Sequence, residues 1–349
     1  MKTRSFALAA IAVLLLNAVG MSLGDADHAS SKRAQAARLV SLLPASDGVV
    51  VFDARRFFDD AMPKVLAANQ PLLAKITSHL NEIESRIGID LRKFDQVAVG
   101  IAIKPQLEKD YDVAPVAIAG GDINAGALIG VAKLASKGKY REEKIGSTSV
   151  YIFTMPAAKT AATKTQNSTV AGAIHKGLRD LTTEIAAASL DRNTLAIGTP
   201  ARVRETVEAK THVSADISSL LLAKETAVMS FAVKPPVGVA KALKLDDDEF
   251  GANLNSIQYL SGSVEVTPIG TSLSLNARMA KPDQATSLKD TLEALQIIGK
   301  AALGSSKNPD QQVLGRMVKN AKFTAQGNDV TLDLLVPQAD IDVLVAKIK

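Results

Sequence analysis

Cysteine and tryptophan are both missing from this chain of 349 residues. The first absence removes disulfides, iron–sulfur clusters, thiolate zinc sites and thiol nucleophiles together. The second, with aromatics at only 4%, leaves little material for the stacking platforms that hold bases or sugars. Histidine is scarce too. His28, His79, His175 and His212 include no pair at the i,i+4 or H-x-H spacing that aims two imidazoles at one metal. Charge of one sign is also lacking. The formal +5 includes Lys2 and Arg4, and without the first 24 residues 39 basic side chains face 36 acidic ones, a net of +3. Spread over the body of the chain, that excess is no nucleic-acid footprint.

The chain does have an apolar majority in its body and one conspicuous start. Lys2 and Arg4 precede an apolar run from Phe6 to Leu16, then Asn17, Gly20, Ser22 and Gly24 lead to Asp25-Ala26-Asp27. This is the layout of an export signal, with small residues fitting cleavage after Gly24 or Ala26. The alternative is an uncleaved anchor, because Phe6 to Leu23 is just long enough to span a bilayer. No later run approaches that length. The expected location is therefore the periplasm or the cell exterior, with no transmembrane span in the mature chain.

Hydrophobic periodicity predicts an α+β fold in two similar halves, each a mainly antiparallel sheet with helices on one face, behind a signal helix. The expected division is 1–24 signal, 25–45 flexible leader with a short helix, 46–212 first domain, 213–224 junction and 225–349 second domain. Strands are read at Gly48–Phe52, Gln96–Ile103, Val113–Ala119, Tyr140–Ile145, Val150–Met155, Glu184–Leu190, Thr194–Gly198 and Ala227–Val233. More follow at Ser256–Thr267, Ser272–Ala280, Phe323–Ala325 and Val330–Val336. Pro115 marks its strand as an edge candidate. Helices are expected from Arg55 to Ala68 with a break at Pro63, from Pro71 to Gly88, and from Asn124 to Ser136. Others follow Pro200, Pro235-Pro236, Pro282, Pro309 and Pro337. The order strand, helix, two strands, helix, hairpin and Pro-started helix occurs twice, which predicts an internal duplication. Residues 156 to 176 are small, polar and low in complexity, and read as an exposed excursion.

Candidate chemistry resolves into ordinary structure at each point. No G-x-S-x-G occurs, and Ser136-Lys137-Gly138-Lys139 matches S-x-x-K without the companion motifs, so it reads as a basic helix end. Asp246-Asp247-Asp248-Glu249 fails as a calcium loop, with Phe250 at the fifth position and Ile257 where the bidentate Glu belongs. Gly120-Gly121-Asp122 opens a helix as phosphate loops do, but Asp122 sets a negative charge there and is expected to cap the helix. Asp53-Ala54-Arg55-Arg56-Phe57-Phe58 reads as a capped helix start with a Phe entering the core. Asn167-Ser168-Thr169 is a glycosylation sequon, meaningful only in a host that glycosylates exported proteins.

The stretch Leu42-Leu43-Pro44-Ala45-Ser46-Asp47-Gly48-Val49-Val50-Val51-Phe52-Asp53, followed by Gly88-Ile89-Asp90-Leu91-Arg92-Lys93-Phe94-Asp95, resembles an uncharacterised family of secreted bacterial proteins of a domain-of-unknown-function type. The resemblance implies export and a duplicated α+β architecture. Its motifs are structural and bring no activity or site residue.

The inventory predicts no catalytic, cofactor-binding or metal-ligating residues, and no cofactor. The leading expectation is an exported, non-enzymatic envelope protein, a binding or scaffolding module with an envelope protein or apolar ligand as partner. A carrier of a lipid or other apolar ligand comes second, because helices laid over a concave sheet can hold a lipid between them. A hydrolase with an unrecognised carboxylate or serine site is third.

Overall fold

The computed structural model describes residues 26–87, 89–105, 111–154, 184–221, 226–238, 240, 249–267, 269–304 and 306–348. The export signal, the low-complexity excursion with His175 and the sequon, and Asp246–Asp248 lie outside the described residues, as do Val239 and Leu243 of the helical piece expected after Pro236.

The first described element is a 17-residue helix, α1 (Ala26–Leu42), where a flexible leader with a short helix was expected. Its Leu39, with Leu43 just after it, is fully buried, and such side chains hold a helix far more firmly than propensity does. Strand β1 (Gly48–Asp53) follows. The Asp53 carboxylate accepts from the Arg56 N–H at 2.8 Å and caps α2 (Ala54–Arg56). The chain then widens into a π-turn over Phe57–Ala61 before α3 (Met62–Val65). The expected break at Pro63 is thus absorbed as a local widening, in which the Met62 N–H reaches back to the Phe57 carbonyl. Helix α4 (Gln70–Ile87) leads to a short 3₁₀ turn at Leu91–Lys93, capped by Asp90.

Strands β2 (Phe94–Pro105) and β3 (Tyr111–Gly121) pair antiparallel. Helix α5 (Ala125–Ala135), strands β4 (Tyr140–Ile145), β5 (Thr148–Thr154), β6 (Glu184–Asp191) and β7 (Thr194–Gly198), and helices α6 (Pro200–Glu208) and α7 (Ala215–Leu221) complete the first half. The second half comprises β8 (Met229–Val233), α8 (Glu249–Asn255), β9 (Ile257–Thr267), β10 (Gly270–Met279), α9 (Pro282–Leu303), α10 (Pro309–Asn320), β11 (Lys322–Gln326), β12 (Asp329–Pro337) and α11 (Gln338–Val345).

The fold is α+β, built on one 12-stranded antiparallel sheet in the order β11-β12-β10-β9-β8-β1-β2-β3-β7-β6-β5-β4. Instead of a sheet for each half, β1 pairs with β8 and joins the two into a single surface. Both strands are apolar on both sides, and an edge of that kind left open is a site for unwanted pairing. Outward from this seam, the order is β1, β2, β3, β7, β6 on one side and β8, β9, β10, β12, β11 on the other.

Helices cover the two halves differently. On the front face of the first half, α1, α6 and α7 bury Val49, Ala98, Val116, Ile118, Val150, Ile152 and Val203. On its back face, α2 and α5 pack over Phe94, Ala119, Phe153 and Leu195. The first half therefore carries helices on both faces rather than one, because β2, β3 and β6 are apolar at successive positions and not at alternate ones. In the second half the back face takes α3, α4 and α11 at one end and α9 at the other. Its front face is polar, and its cross-strand partners are hydrogen-bonded pairs. Ser274 donates to Asp333 at 2.7 Å, Asn276 to Thr331 at 3.2 Å and Arg278 to Asp329 at 3.0 Å.

Two local expectations are corrected. Strand β3 is interior, between β2 and β7, although it contains Pro115. Strand β7 ends at Gly198, opposite Val116, so the missing Pro115 N–H faces no ladder partner, while its carbonyl still accepts from the Thr199 N–H at 3.2 Å. Helix α5 is capped by Asn124, whose side chain accepts from the Ala127 N–H at 3.0 Å, and not by Asp122. The Asn193 amide holds the carbonyls of Gly121 and Ile123, each at 3.2 Å, and this delays the helix by two residues.

Candidate apolar binding face

Directly opposed residues of an antiparallel ladder share a face, so the register can be read straight across the back of the sheet. Leu332 lies opposite Leu275, Leu275 opposite Gly262, and Gly262 opposite Phe231. Phe231 lies opposite Val50, Val50 opposite Val99, Val99 opposite Ala117, and Ala117 opposite Ile197. Every member of this row is apolar. It crosses eight strands, which at about 4.8 Å per strand spacing is a band about 34 Å long.

The two neighbouring rows differ. On one side, Leu334, Val264, Phe52, Val97, Ala119 and Leu195 enter the clusters beneath α2–α5 and α11. On the other, in the second half, Val330, Ala277 and Leu260 are covered by Ala285, Leu288 and Leu292 of α9. The central row belongs to none of the four core clusters. Its side chains are half-buried, and Ile197 is 37% exposed. Helices thus flank the row without covering it. In the second half the uncovered strip is one residue wide, and toward β2 and β3 it widens to include Ile101, Ile103 and Val113.

Gly262 forms the low point of the strip. A Cβ there would stand 2.7 Å from both Leu275 Cδ2 and Phe231 Cε1 and 2.8 Å from the Ser274 carbonyl oxygen. Leu275 and Phe231 therefore lean over the glycine from either side. The Phe52, Phe57 and Phe58 rings, with centroids 5.2 and 5.0 Å apart, wall the strip on its covered flank.

Past Ile197 the same row continues through Ala187 and Tyr151 to Glu142 on the edge strand. This corner is charged and aromatic. The Lys133 ammonium lies 4.4 Å from the Tyr151 ring centroid and 5.2 Å from that of Tyr140. Lys137 and Lys139 stand exposed in the turn that joins α5 to β4. A hydrogen bond from Ser149 holds the Glu142 carboxyl below its usual range; burial opposes it, and Tyr151 and Lys133 add to it.

The other residues considered from sequence are dispersed. His28 lies in α1 and exposed His79 on α4, while His212 Nδ1 is 3.0 Å from the Ser41 carbonyl oxygen. Ser136 donates to the Lys133 carbonyl at 2.7 Å, a helix-end contact. Among the described residues no three His, Asp or Glu side chains converge as a metal site, and no helix is long and apolar enough to cross a membrane. The apolar row itself was missed in the sequence. Its alternation is visible in Leu273, Leu275 and Ala277, but an uncovered face and a covered one have the same pattern.

No protein-family model and no curated protein matches the chain. Two solved structures of TP0453 are similar to it. Crystal form III covers 88% of this chain and 98% of that chain at 9% identity with a TM-score of 0.44. Crystal form I covers 88% and 96% at 10% identity with a TM-score of 0.41.

Proposed function

We propose that this chain is an exported envelope protein that works by binding, without turnover, and that its ligand is apolar and lies along the central back-face row. One observation carries the reading: eight adjacent strands contribute apolar side chains to a continuous strip that flanking helices leave half-open. Apolar surface buried against a ligand is worth about 25 cal/mol per Å², so a strip about 34 Å long offers a substantial driving force. The basic start and apolar run at Phe6–Leu16 support export.

The test is native mass spectrometry of the protein purified from its own envelope without detergent exchange. The expected result is a stoichiometric apolar adduct, released by organic solvent and taken up again on mixing. Ile197→Asp and Leu275→Asp, which place charge in the strip, are expected to abolish uptake while retaining the far-UV spectrum. A protein that carries no adduct and takes up no apolar probe would refute the reading.

A further inference from the structure

We infer that the ligand is a single-chain anionic amphiphile, its chain laid across the strands along the central row and its headgroup held at the Lys133, Lys137 and Lys139 corner; this rests on the apolar-ligand reading above. Width sets the number of chains. Between the cluster beneath α3, α4 and α11 and the one beneath α9, the strip is a single residue row, formed by Phe231, Gly262, Leu275 and Leu332. That admits one flexible chain and rejects a fused-ring molecule, which needs a broad pocket.

Charge sets the headgroup. Leaving the strip at Ile197, the row crosses two further strand spacings, about 10 Å, to Tyr151 beneath the Lys133 ammonium. Among the described residues no carboxylate stands within ion-pair distance of Lys133, Lys137 or Lys139. The groups facing this corner are Glu142 on β4, with Lys144 two residues on, and the Tyr140 and Tyr151 rings. Four cations therefore face one anion. At the opposite end of the strip the residue opposite Leu332 is Phe323 on the other edge strand, and the row ends there without charge. The row thus has one apolar and one cationic terminus. An anionic headgroup at the cationic end accepts charge-assisted hydrogen bonds from lysines that otherwise face solvent.

The test uses the full mature chain and two probes of equal chain length below their aggregation limits, oleate and oleyl alcohol, in competition with a polarity-sensitive dye. Oleate is expected to bind about tenfold more tightly than the alcohol, the usual difference for a charge-assisted contact, and to lose that advantage at high salt. The exposed-site variant Lys137→Gln/Lys139→Gln and the variant Lys133→Gln are expected to weaken oleate binding and leave the alcohol unchanged; Lys133→Arg restores oleate. Cholesterol is expected not to compete. If the alcohol and oleate bind equally and the lysine variants change neither, the headgroup assignment fails while the strip stands. If cholesterol competes as well as oleate, the single-chain assignment fails. If none of the three binds, the apolar-ligand reading fails with it.

Discussion

Asn69 ties together two helices that wall the binding strip, and its replacement gives a sharp test of that architecture. The side chain is buried. Its oxygen accepts from the Leu72 N–H at 3.1 Å and caps α4; its amide donates to the carbonyls of Val345 at 2.7 Å and Ile348 at 2.9 Å, closing the end of α11. Asn69→Ala removes the cap, worth about 1 kcal/mol. It also strands the Val345 carbonyl, at about 1–2 kcal/mol for a buried acceptor, while the Ile348 carbonyl lies near enough to solvent to find water. The expected loss is about 2–3 kcal/mol, read as a lower urea midpoint at unchanged slope. Asn69→Ser keeps a capping oxygen and isolates the two donated bonds. Asn69→Asp keeps the cap but turns an anion toward two carbonyl oxygens, which raises the new carboxyl's folded-state pKa above its unfolded value of about 3.9. Its penalty is therefore absent below that value and grows as pH rises through the folded one. If Asn69→Ser matches wild type within about 0.5 kcal/mol, or Asn69→Asp shows no recovery in acid, the amide does not hold α11 and the argument is wrong.

Three further outcomes are expected. Gly262→Val drives a branched side chain into Leu275 and Phe231 and should cost about 1–3 kcal/mol, weakening uptake of every apolar probe; unchanged uptake in a folded variant would show that the strip is not used. Leu39→Ala opens a cavity beneath α1 and should cost about 3 kcal/mol by urea titration, whereas a loss near zero would mean α1 is not part of the core. A hydrogen bond from Arg204 lowers Glu143, and one from Arg141 lowers Glu184, each below the ordinary carboxyl range. Their stabilisation is present above the unfolded glutamate value of about 4.3 and lost as pH falls through the depressed folded values. Arg204→Met should flatten that acid limb in urea midpoints measured from pH 6 to pH 3, and an unaltered limb would count against the pairing.

Most elements were legible in the sequence because their signals are local. The GVVVF run, the Asp191-Arg192-Asn193 turn, and Pro at positions 200, 282 and 309 specify a strand, a hairpin and helix starts through short-range chemistry. What sequence did not yield depends on distant partners. Pro115 alone marks an edge; its interior place depends on where β7 ends. Asp122 and Asn124 both suit a cap, and the choice falls to Asn193 across the sheet. The apolar row was hidden for a different reason. Leu288, Leu292, Leu295 and Ile298 read as one inward helix face, yet Leu288 and Leu292 cover the sheet while Leu295 and Ile298 stand 47% and 64% exposed. Periodicity identifies an apolar face and is silent on whether anything lies against it.

The pairing of β1 with β8 makes the two halves mutually dependent. Cut at the connection between them and produced as separate polypeptides, each fragment would carry an unzipped strand, Gly48–Asp53 in one and Met229–Val233 in the other, with apolar side chains on both sides. Neither fragment would have anywhere else to place it. Such fragments should aggregate when made alone and reassemble when made together, which would make this connection a natural place to build a split reporter.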